Sequence, residues 1–148
     1  MPHYCTLIVR SDREDEAEAL FRADAVELLD VTDNFSPERL ASAERFRSMG
    51  FVRRADLPRF TWSLDSRTGV TSELFDLKAH VSWLLSQVKT ATALEQARAR
   101  GAEALLSLYY GGNGTGGGPF ISSSLADVLV RYQIDLQVGF YYEESDAV

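Results

Sequence analysis

Residues 105–142 read LLSLYYGGNGTGGGPFISSSLADVLVRYQIDLQVGFYY, and the fold follows from how this stretch divides. At its end, Ile134, Leu136, Val138, Phe140 and Tyr142 alternate with Asp135, Gln137, Gly139 and Tyr141. A period of two marks a strand with two distinct faces. At its start, Leu105–Tyr110 reads as a second strand. Between them Ser122, Ser123 or Ser124 caps a short helix, in which Leu125, Val128, Leu129 and Tyr132 recur at i, i+3, i+4 and i+7. Strand, helix and strand in that order favour a parallel pair with a right-handed crossover, unless another strand lies between them.

Upstream the same alternation of elements continues. Tyr4–Arg10 predicts a strand, with Cys5, Leu7 and Val9 on one side and Tyr4, Thr6 and Ile8 on the other. Both sets are largely apolar, as in a central strand. Ser11 or Asp12 then offers a helix cap, acidic residues fill the first turn, and Ala17, Leu20 and Phe21 supply an apolar stripe. Residues 25–35 fit either a continued helix or a short strand. Ser36-Pro37-Glu38 starts a surface helix that ends near Gly50. Phe60, Trp62 and Leu64 share one face of a further strand. Leu74, Leu77, Val81, Leu84, Leu85 and Val88 predict a long helix from Ser72 to about Lys89, continuing towards Arg100 and closed by Gly101. The expected fold is α+β: a mixed sheet of four or five strands, with the long helix and the short carboxy-terminal helix packed on it. Residues 1–148 read as one globular domain, with an arginine-rich helical insertion near 32–58.

Composition narrows the function classes. A chain of 148 residues, 45% hydrophobic and 25% charged, buries enough surface to fold without a disulfide or a metal. Its single cysteine, Cys5, permits no internal disulfide. The opening Met1-Pro2-His3-Tyr4 is unlike a signal peptide, and no apolar run approaches the roughly 18–20 residues that span a bilayer. A cytoplasmic protein without a membrane role is expected. The net charge of −7 argues against nucleic-acid binding, where a basic face supplies most of the affinity. Acidic residues crowd Asp12–Glu18, whereas Arg39, Arg45, Arg47, Arg53, Arg54, Arg59 and Arg67 face only Glu44, Asp56 and Asp65. Two readings stand: solvated faces that pair on folding, or an arginine-lined surface for an acidic partner.

No motif carries recognisable chemistry. The glycine-rich stretch Gly111–Gly118 joins a strand to a helix, which is the setting of a phosphate loop. A phosphate loop needs a lysine and a hydroxyl residue directly after its last glycine. Here Pro119-Phe120 follow, and proline removes a backbone donor. The stretch reads as a connector, or as a weak anion or peptide site built from Asn113, backbone N–H groups and the Ser122 cap. On the long helix, Asp76, His80, Trp83 and Gln87 fall on one stripe beside the apolar one. Asp76 could orient the His80 imidazole. The alternatives there are a histidine satisfied at the edge of the core, a binding groove, and catalysis with an unassigned nucleophile. Two histidines and one cysteine without close spacing offer no metal site, and no cofactor is expected. Tyr109, Tyr110, Tyr141 and Tyr142 gather near the ends of the last two strands, a composition common at protein interfaces.

The order Trp62-Ser63-Leu64, then Leu77 and His80 with Leu84-Leu85, then a strand, Gly117-Gly118-Pro119, a serine-capped helix and an alternating strand resembles the bacterial domain-of-unknown-function family numbered 4279, over roughly residues 59–141. The chain departs from that pattern at 32–58. The resemblance implies a small cytoplasmic bacterial protein without a known catalytic residue. Small acidic bacterial domains of this kind are often immunity proteins. The expectation is therefore a non-enzymatic protein-binding domain, of which an immunity-type inhibitor of a toxin is one form. The alternative is a small-ligand or anion-binding regulator using Gly111–Gly118.

Overall fold

In the computed structural model, which describes residues 3–71, 74–112 and 117–142, five strands form one mixed sheet: Tyr4–Ser11 (β1), Asp30–Asp33 (β2), Phe60–Asp65 (β3), Glu103–Gly112 (β4) and Leu136–Tyr142 (β5). Their order across the sheet is β2-β3-β1-β4-β5. β1 is central and runs antiparallel to both neighbours, with Leu7 opposite Leu64 on one side and Leu106 on the other. β4 and β5 pair in parallel, Leu108 beside Val138. The α+β architecture expected from residues 105–142 is therefore the one observed.

Register explains the core. Cys5, Leu7 and Val9 of β1 align with Trp62 and Leu64 of β3 and with Leu106 and Leu108 of β4, and all seven are buried. Tyr4, Thr6 and Ile8 point the other way and are only half-buried, so β1 is central without being sealed on both faces. Six helices accompany the sheet among the described residues: Glu16–Leu20 (α1), Ala23–Val26 (α2), Pro37–Ser48 (α3), Leu77–Ser86 (α4), Ala93–Ala99 (α5) and Ser123–Tyr132 (α6). α4 lies on β1, α5 against β4, α1 against α5, and α6 against α4. No helix among the described residues is long and apolar enough to cross a membrane.

Several local expectations change. The long helix begins at Leu77, because the Asp76 carboxylate accepts the N–H groups of Lys78 and Ala79 and so fixes the start there. Residues 72 and 73 lie outside the described set, and Leu74 is 83% exposed. The helix stops at Ser86, since Val88 forms an isolated bridge with Phe21, and α5 is a separate element closed by Gly101 at φ +94°. Neither Ser11 nor Asp12 caps α1: Ser11 is buried at the end of β1 and its hydroxyl accepts Arg13 N–H, while Asp12 accepts Arg59 N–H. Residues 25–35 hold the end of α2 and then β2. Thr32 and Asp33 belong to the sheet, so the departure from it begins at Asn34. Ile134 is buried but precedes β5.

One connection is out of proportion. β2 and β3 are antiparallel neighbours, Asp33 opposite Phe60, and two residues suffice to join such a pair. The chain instead uses residues 34–59. Within them, Ser36 accepts Arg39 N–H to cap α3, Pro37 occupies its first turn, and Gly50 at φ +92° follows its end. None of the residues of α3 is buried. The connection is thus an excursion from the sheet that carries a helix of its own.

Candidate functional site

The described residues singled out from the sequence do not meet in one site. A first group lies on the half-buried sheet face. Tyr4 and Tyr109 stack with ring centroids 4.9 Å apart, and Tyr109 and Tyr141 follow at 5.3 Å. The Arg67 guanidinium sits 3.7 Å from the centre of the Tyr4 ring and is itself held by Asp65. Cation and aromatic faces thus satisfy one another along a row crossing β1, β4 and β5. Hydrogen bonds to Arg67 hold the Asp65 carboxyl below its usual range despite the opposing effect of burial. Tyr110 is not part of this row. It points to the opposite face, where His3 stacks on it at 4.2 Å and its hydroxyl donates to Gly117 O.

The second group surrounds His80. Asp76 does not orient the imidazole: its carboxylate is occupied at the start of α4. The partner is Ser66, which the sequence reading did not single out. β3 ends at Asp65 and the chain turns through a 3-10 turn, Ser66–Thr68. The next donor of β1, Cys5 N–H, therefore finds no strand carbonyl and bonds Ser66 Oγ at 3.0 Å, and the same oxygen lies 2.6 Å from His80 Nδ1. A serine beside a histidine is the geometry of a nucleophile and its base. Here Ser66 is 0% and His80 3% exposed, and Phe75 covers the imidazole at 4.8 Å between centroids. The pair is sealed from any substrate. Burial lowers the pKa of His80 against the opposing pull of Asp76 and Asp65, which favours the neutral ring. Burial also pushes the Cys5 thiol up to about 12, leaving it protonated and inert. Trp83 packs elsewhere, across Gly69, where a Cβ would overlap its indole. Among the described residues no cluster of histidine, cysteine and acidic side chains could hold a metal ion.

Of the glycine stretch, residues 111, 112, 117 and 118 are among the described ones. Gly111 and Gly112 belong to β4, and Gly111 N–H is taken by His3 Nδ1. Asn113 lies outside the described residues. The Ser122 hydroxyl accepts Leu125 N–H and caps α6.

The third region is the arm, residues 34–59. Its neck is polar: Asn34 donates to Pro58 O and Thr61 Oγ1, each at 2.9 Å, Arg53 donates to Asn34 O, and Arg54 pairs with Glu103. Beyond the neck, Phe35, Leu40, Phe46, Met49, Phe51 and Val52 are all exposed, from 47% to 82%. Two clefts flank α3. One, of about 300 Å³, has Ala43, Phe46, Phe51, Val52 and Leu57 as its apolar lining, with Arg39 and Arg53 among its polar residues. The other, of about 360 Å³, lies along Leu40, Glu44, Arg47 and Arg54. The sequence signals for this region were its arginine excess and the thin apolar content of α3. What they could not give was the exposure of nearly every large side chain in it.

Compared with protein-family models, curated proteins and solved structures, the chain matches none. The likeness read from the order of its motifs stands on those motifs alone.

Proposed function

We propose that this chain is a protein-binding domain whose contact element is the arm, residues 34–59. One observation carries the reading. Two strands that pair directly are joined by an excursion whose helix buries none of its residues and whose large apolar side chains face water. Folding gains nothing from exposing Phe46, Met49, Phe51 and Val52, of which Phe46 and Phe51 touch edge to face, and exposed apolar patches mark interaction sites. Among the described residues, the serine–histidine pair is buried and Ser122 is engaged in capping. An immunity-type inhibitor would be one protein of this class.

The test uses two baits, the full chain and a chain in which residues 34–59 are replaced by a short hairpin turn. Each is immobilised and exposed to extract from cells that express the protein. A partner held by the full chain and released by the shortened one is the expected result. Identical sets on both baits would refute the assignment of the contact to the arm. A small-ligand regulator would instead show as a melting shift with phosphorylated metabolites, about 2.7 kcal/mol of stabilisation at 100 times the dissociation constant.

A further inference from the structure

We infer that the cleft between α3 and residues 51–57 receives an acidic segment of a partner protein, one in which carboxylates flank a single large apolar side chain. This rests on the docking reading above and adds the chemistry of what docks. Of the six arginines in 36–59, three are neutralised by carboxylates: Arg47 by Glu44, Arg54 by Asp56 and Glu103, and Arg59 by Asp33. The other three, Arg39, Arg45 and Arg53, have no carboxylate partner among the described residues, in a chain whose net charge is −7. Arg53 is held by Asn34 O and lies over the Phe35 ring, and Arg45 donates to Ser42 Oγ, so their positive charge is placed by neutral groups and not cancelled by a described carboxylate.

Position gives that excess a meaning. Arg39 and Arg53 line the cleft that also holds Phe46, Phe51 and Val52. Arginine beside an apolar pocket suits a carboxylate next to a bulky side chain, because the planar guanidinium bonds the acid in bidentate fashion while the pocket takes the hydrocarbon. About 300 Å³ is the lower end of the range for ligand sites, room for one anchor and its neighbours and not for a folded surface. The remaining acidic charge of the chain repels an acidic partner at long range. Recognition is then local to the cleft and screened by salt.

The experiment is selection of random dodecapeptides displayed on phage against the folded full chain, followed by affinity measurement on synthetic versions of the enriched peptides. Enriched sequences should pair two or more acidic residues with one large apolar residue. Their affinity should fall roughly tenfold for Arg39→Glu, which reverses an exposed charge, and fall further for Phe46→Asp. Arg131→Glu, on the exposed side of α6, should leave affinity unchanged. Neutral or basic consensus peptides that still depend on Phe46 would overturn the acidic assignment and leave the docking reading standing. Peptides indifferent to both Arg39→Glu and Phe46→Asp, or no enrichment at all, would sink the assignment, and the two-bait comparison then decides the docking reading separately. Self-association of the chain that Arg39→Glu abolishes would give the cleft to a second copy and equally overturn the inference.

Discussion

Removing one hydroxyl at Ser66 is expected to be among the costliest single-atom changes in this protein. Ser66 Oγ serves two buried groups at once, Cys5 N–H at 3.0 Å and His80 Nδ1 at 2.6 Å, and the residue is 0% exposed. In Ser66→Ala both lose their partner, and the site has no access to bulk water that could replace it. A buried polar group left unpaired costs about 1–3 kcal/mol, so two give about 3 kcal/mol after partial relaxation. For a chain of this size that lowers the melting temperature by roughly 10 °C. Urea unfolding followed by far-UV circular dichroism measures it. A double-mutant cycle with His80→Ala isolates the pair, with a coupling of about 1 kcal/mol or more expected between groups in direct contact. A loss below about 1 kcal/mol, or strict additivity in the cycle, would refute the claim that this hydroxyl completes the β1 ladder and fixes the imidazole.

Three further outcomes follow from the packing. Gly69→Ala places a methyl where the Trp83 indole lies, and overpacking of that kind costs about 1–3 kcal/mol, visible as lower stability and a changed tryptophan emission. Arg100→Ala strips the guanidinium that bonds the fully buried Glu16 carboxylate at 2.7 Å, and an uncompensated buried charge costs about 3–5 kcal/mol, readable in the same unfolding assay. Stability should also respond to mild acid. The folded pKa of His80 lies below its ordinary value of 6.5, so above that pH both states are neutral and the full stability is present. As pH falls from 6.5 towards the folded pKa, the unfolded chain takes up the proton first and stability declines. His3, lowered chiefly by burial, acts in the same direction. Urea midpoints between pH 7 and pH 5 should therefore decline, and His3→Ala combined with His80→Gln should flatten that slope.

Much of the sheet was legible because its signals are local. Alternation in Phe60–Leu64 and Leu136–Tyr142 needs no partner to be read, and the caps at Ser36, Ser122 and Gly101 sit where their chemistry requires. The failures come from interactions between distant residues. Leu74 keeps the helical spacing of α4 and so reads as part of it, yet Asp76 starts the helix after it. Val88 continues the apolar stripe but pairs with Phe21, far back in the chain. β2, Asp30-Val31-Thr32-Asp33, has no strand signature of its own and exists through its register with β3. The candidate site follows the same division. Arginine excess and a cap followed by proline mark the arm in the sequence. That Ser66, and not Asp76, holds His80 depends on where β3 ends against β1.

On the docking reading, the arm is appended to a sheet that stands without it. The free-energy changes on removing it nearly cancel. Shortening the connection from residues 34–59 to two residues recovers about 2 kcal/mol of loop-closure entropy. Against this stand the hydrogen bonds from Asn34 to Thr61 Oγ1 and from Arg59 N–H to the Asp12 carboxylate, about 1 kcal/mol each, while the exposed Arg54–Glu103 and Arg59–Asp33 pairs add little. Thermal unfolding of the chain with an Asn-Gly turn in place of residues 34–59 tests this most directly. A cooperative transition within about 5 °C of the full chain is expected. Loss of the transition, or a fall of roughly 15 °C or more, would make the arm part of the folding core and contradict its role as a docking element.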